Sequence, residues 1–116
     1  MSKTSKADFK YFRAKCEEVI DELSLRDWKF YFSHADVDEA YAWVRPDSQA
    51  KQATVGLSVD WTGTKVTKEM LTYCAKHEIL HVLLADLVNI GKNRTSTAQE
   101  FETAQHAIIR RLENWA

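Results

Sequence analysis

Hydrophobic residues recur at helical spacing at both ends of the chain and alternate in its middle. Residues 5–23 carry Phe9, Phe12, Cys16, Val19, Ile20 and Leu23 on one stripe, which predicts a helix packed by one side. Ser5 with Asp8 makes a capping-box-like start. From Trp28 the period drops to two, with Trp28, Phe30 and Phe32 alternating with Lys29, Tyr31 and Ser33, as in a half-buried strand. A second strand, "AYAWVR", ends at Pro46 after the acidic turn "ADVDE". A third, "ATVGLSVD", alternates Ala53, Val55, Leu57 and Val59 with polar or small residues. Three short strands with short links predict a small antiparallel meander.

Residues 67–90 form the next predicted helix, with Gly91 as its expected C-cap. After the loop "GKNRTS", Thr97 and Glu100 form a capping box that opens a last helix through Trp115. Its face is Phe101, Ile108, Leu112 and Trp115, with Ala104 and Ile109 beside it. The expected order is α, β, β, β, α, α: a single α+β domain spanning residues 1–116, with one modest core.

The apolar segment "YCAKHEILHVLLADLVNI", residues 73–90, holds His77, Glu78 and His81. Apolar residues surround its axis, so the helix is expected to be buried and to take part of this trio out of water. Burying polar groups without partners costs roughly 1–3 kcal/mol each, so something must satisfy them. Residues four apart lie about 40° apart on a helix, one turn along. His77 and His81 can therefore aim two imidazole nitrogens at one ion, at the zinc–nitrogen distance of about 2.0–2.1 Å. Glu78 stands beside that point, where a carboxylate can take a proton from metal-bound water. His-Glu-x-x-His on a helix is the zinc-hydrolase arrangement, with Glu78 catalytic.

A third ligand must come from elsewhere. The metzincin pattern needs glycine at position 84 and histidine or aspartate at 87; this chain has Leu84 and Leu87. The last helix offers Glu100, Glu102, His106 and Glu113. Glu100 is engaged as a cap, leaving Glu102 and His106 as the pair four apart that could reach back.

Composition changes little. Sixteen basic residues against seventeen acidic give no bulk case for nucleic acid or an acidic membrane. The N-terminal basic residues Lys3, Lys6, Lys10, Arg13 and Lys15 fit a solvated helix face. Cys16 and Cys74 form no closely spaced framework, so a reducing, cytosolic setting is expected, and both thiols fit a core. Nothing resembles a signal peptide or a membrane span. Trp28, Phe30, Phe32, Trp43 and Trp115 are the expected core aromatics. His34, Tyr41, Arg45 and Tyr73 are the groups that could stabilise an oxyanion.

On "HEILH" and the downstream "HAIIRRLE", the chain resembles a minimal zincin of the gluzincin-like kind, similar to small phage- or prophage-encoded proteins with a central HExxH. The resemblance implies a small zincin-like fold: N-terminal helix, three-stranded antiparallel sheet, HExxH helix and C-terminal helix. It implies a zinc metallopeptidase acting on a peptide or protein substrate in a bacterial host cytoplasm. His106 falls at the third-ligand position, giving His77, His81 and His106 as the metal set; histidine there departs from the glutamate of gluzincins. It further implies that "ATVGLSV" is the edge strand beside the active-site groove, with Gly56 letting a peptide backbone approach. Two other readings stand beside it: a metal-binding module of zincin fold that acts through a protein partner, and a metal-free helix with ordinary core histidines.

Overall fold

In the computed structural model, residues 3–36, 40–92 and 97–113 are described. The elements run α1 (Lys6–Glu22), β1 (Lys29–His34), β2 (Ala42–Asp47), β3 (Gln52–Leu57), α2 (Lys68–Lys92) and α3 (Ala98–Glu113). Both expected capping boxes form. Ser5 Oγ accepts from the Asp8 amide at 3.1 Å while the Asp8 carboxylate accepts from the Ser5 amide at 2.8 Å. Thr97 and Glu100 make the same reciprocal pair at the start of α3, at 3.1 and 3.2 Å. Helix α2 runs through Gly91 to Lys92, so Gly91 is a helical residue and not the expected C-cap. The expected turn at 37–39, the loop at 93–96, the Glu113 side chain and Trp115 lie outside the described residues.

The sheet is mixed, which corrects the expected antiparallel meander. Its order is β1-β3-β2, with β1 parallel and β2 antiparallel to β3. Strand β3 takes the centre because it is the most buried strand, with Ala53, Val55, Gly56 and Leu57 all inaccessible. Strand β2 cannot take that place. Pro46 has no amide hydrogen to give a second neighbour, and Arg45 to Asp47 are exposed, so β2 lies at an edge. "ATVGLSV" is therefore not an edge strand. The two-fold period of each strand names the face a residue points to, and it says nothing about which strand lies alongside.

One sheet face carries the core. Phe32, Val55 and Val44 form one cross-strand row of it, and His34, Leu57 and Ala42 another. Helices α1 and α2 cover this face, and the buried cluster joins Phe12, Cys16 and Ile20 of α1 to Ile79 and Val82 of α2. Trp28 is in the core, and Phe30 and Phe32 pack against it half-buried. Trp61, fully buried, is the largest side chain there and follows β3, outside the alternating run that marked the strands. Trp43 lies on the opposite face. A Cβ on Gly56 would sit 1.9 Å from its ring, so the missing side chain makes room for this indole and not for a peptide. The Arg45 guanidinium lies over the ring, 5.0 Å from its centroid.

The chain's start is fastened to the end of β3. The Thr4 amide donates to Val59 O at 2.8 Å, and its hydroxyl donates to Ser58 O at 2.7 Å. Having one proton, that hydroxyl must accept from His34 Nε2, also at 2.7 Å. At the other end of the molecule, Arg111 of α3 reaches Ser24 O and the Asp27 carboxylate, both at 3.1 Å.

Candidate metal centre

Helix α2 is divided lengthwise. Leu71, Cys74, Ala75, Glu78, Ile79, Val82, Leu83 and Ala85 are buried, whereas Tyr73, His77, His81, Leu84 and Val88 are exposed. At about 100° per residue the second set falls within roughly 40° either side of His77. The helix is thus not buried all round, and of the central trio only Glu78 leaves water, at 8% exposure.

The two histidines converge without help. His77 Nε2 and His81 Nε2 lie 3.2 Å apart, with ring planes 77° apart. Two nitrogens at zinc–nitrogen distance on one tetrahedral ion would be separated by about 3.3–3.4 Å. The separation of the pair is thus close to that of two ligands on one ion. As a hydrogen bond, the contact has one Nε2–H donating to the other ring's lone pair, and a shift of that proton to Nδ1 would free both lone pairs.

Glu78 lies about 100° around the helix from His77, on the buried side of the pair. Burial pushes its carboxyl above the ordinary range, and the neighbouring His77 and His81 oppose this. It opens on two hollows. One is a groove of about 560 Å³ between β2 and α2, lined by Trp43, Val44, Glu78, His81, Val88 and Lys92 among others. The second is smaller and is walled by Tyr41, Ala42, Tyr73, Cys74, His77 and Glu78. The larger one is within the size of ordinary ligand clefts. The groove thus borders edge strand β2 and not the expected β3. Pro46 was the available signal, since a proline inside a strand marks an edge.

The expected third ligand is not gathered to the pair. His106 and Glu102 are both exposed on α3. His106 lies roughly 160° around that helix from Ile108, the α3 residue sunk in the core. Among the described residues no three His, Cys, Asp or Glu side chains come together to hold an ion.

The other singled-out groups are mostly engaged elsewhere. His34 stacks on Phe9, centroids 5.0 Å apart, within the N-terminal clasp. The Tyr41 hydroxyl meets Thr64 Oγ1 at 2.5 Å. Arg45 lies on Trp43. Tyr41 also walls the smaller hollow beside His77 and Glu78, and the Tyr73 ring lies 6.0 Å from that of His77. Cys74 is a core thiol, which burial pushes up to about 11, and burial raises Cys16 as well.

Compared with known protein families, curated proteins and solved structures, the chain matches none. Among the described residues no helix is long and apolar enough to cross a membrane.

Proposed function

We propose that the protein is a zinc-dependent hydrolase, a small metallopeptidase whose general base is Glu78. The observation that carries this reading is the His77–His81 pair, 3.2 Å apart, with the buried Glu78 carboxylate beside it at the head of a groove. His77 and His81 would hold the ion and His106 would complete its protein ligands. Bound zinc would supply a Lewis acid and a water of lowered pKa.

The chain's own part is proton handling and positioning. Glu78, with its carboxyl raised by burial, accepts a proton more readily near neutral pH than an exposed carboxylate does. It can then return that proton to the leaving amine from the same position. The free edge of β2 offers backbone groups to an extended peptide. With Pro46 tolerated there, the residues of the same parity, Ala42 and Val44, turn their amides and carbonyls to the groove.

A second reading has one observation in its favour: two ligands are gathered and a third is not. In it the chain binds metal but catalyses nothing, acting through a protein partner. Elemental analysis of untagged protein comes first, with zinc expected and lost in His81→Ala. Glu78→Gln should then keep zinc and fold but lose peptide hydrolysis by at least about 100-fold, as loss of a general base does. Full biological function in Glu78→Gln would sink the enzyme reading and leave the metal-binding one. Absence of zinc from the purified protein and after zinc addition would sink both.

A further inference from the structure

The exposed stripe of α2 has a symmetry of its own. His77 and His81 centre on position 79; Tyr73 lies six residues before that point, and Leu84 and Val88 lie five and nine after it. A two-fold axis outside the helix, through an ion held by the pair and at right angles to α2, would set Tyr73 of one copy at the height of position 85 of the other, beside the exposed Leu84. Tyr73, Leu84 and Val88 are 62%, 42% and 50% exposed on a helix whose other face is core. The pair between them provides two nitrogens at the separation of ligands on one tetrahedral ion. Such an ion in a closed site takes four protein ligands.

We propose that this stripe is a zinc-dependent contact between two copies of the chain, with His77 and His81 of each copy completing a four-histidine site. Antiparallel α2 helices would cross at the ion, and Tyr73 of each copy would lie against Leu84 and Val88 of the other. The contact is isologous, the same patch on both sides, as a two-fold dimer requires. The apolar part alone is three side chains, far short of the roughly 800 Å² per partner of a stable interface. The ion is therefore essential, and the metal-free protein is a monomer.

The inference rests on the zinc affinity of the pair but not on hydrolysis, and it describes a different state of the site. A four-histidine ion keeps no open position for water, so the dimer is latent and dissociation exposes the groove-side position. His106 has no part in it.

Zinc titration into chelator-stripped full-length protein, followed by light scattering and metal analysis, tests this directly. A monomer without zinc, and a dimer holding one zinc per two chains, is the expected result. His81→Ala should abolish both zinc uptake and the dimer. Leu84→Glu, which faces Tyr73 of the other copy and places an exposed charge there, should weaken dimerisation by at least about tenfold while zinc still binds. A monomer with one zinc per chain would overturn the shared site and leave the hydrolase reading intact, whereas no zinc uptake would overturn both. A dimer equally present in chelator would also overturn it, since the ion would then not be the link.

Discussion

The two faces of α2 are built from the same twenty-five residues and have opposite fates. The inner face, from Leu71 through Ile79 to Ala85, is locked against α1 and the sheet. The outer face carries Tyr73, His77, His81, Leu84 and Val88 in the open, although Leu and Val are as apolar as their buried counterparts. Hydrophobicity alone therefore does not say which residues a helix buries. What differs is the partner: α1 and the strands meet one side, and α3 packs beside the C-terminal part of α2, near Asp86 and Ile90, without covering the stripe of Tyr73, His77 and Leu84. Glu78 stands at the border between the faces, which gives it both burial and access to a groove.

The largest expected effect separates the faces outright. Ile79→Ala should cost about 2–5 kcal/mol in urea unfolding, by lost burial plus a cavity. Leu84→Ala should change stability by less than about 1 kcal/mol, since an exposed truncation leaves no cavity. Equal losses at the two positions would mean that the outer face is covered in the monomer.

A smaller effect belongs to the border. The folded pKa of Glu78 is raised, so the native state binds its proton more tightly than the unfolded chain does. Stability of the metal-free protein should therefore be fullest below the ordinary carboxylate range and fall as pH rises through the folded pKa. Glu78→Gln removes the charging step. It should match wild type in acid and exceed it at neutral pH, by on the order of 1 kcal/mol, the scale of a poorly solvated buried group. Thermal melts across pH in chelator measure this, and a variant less stable at neutral pH would contradict the assignment of burial as the cause.

The last effect is a rate. Cys74, on the inner face three residues before His77, is a buried thiol with a pKa pushed up to about 11. Thiol reagents should modify neither it nor Cys16 at neutral pH until the protein is denatured, because the thiolate is the reactive form. Prompt labelling of the native protein would show that the inner face opens locally.

Much of the local structure was readable in the residues. Ser5 with Asp8 and Thr97 with Glu100 marked two helix starts to the residue, because the capping hydrogen bonds are made within one turn. The burial of Cys16, Cys74 and Trp28 followed from periodicity. Phe101, Ile109 and Leu112 show where that reasoning stops. Phe101 and Leu112 share the stripe of Ile108 and Ile109 flanks it, yet all three remain exposed, because α3 turns inward the side of Ala104, Ala107 and Arg111 and Ile108 stands at the margin of that side. Trp43, expected in the core, is similar: it points to the sheet face it shares with Gly56, opposite the one that carries the core.

By itself the sequence determined that His77 and His81 lie on one stripe with Glu78 off to its side, since the 3.6-residue turn allows no other arrangement. Only the tertiary structure decided that the pair is exposed while Glu78 is buried. It alone put β3 in the middle of the sheet and gave β2 the groove. The reason is physical: helical pitch and strand alternation are set within a few residues, but burial and strand order depend on which distant surfaces meet, and alternation encodes a face without naming its neighbour.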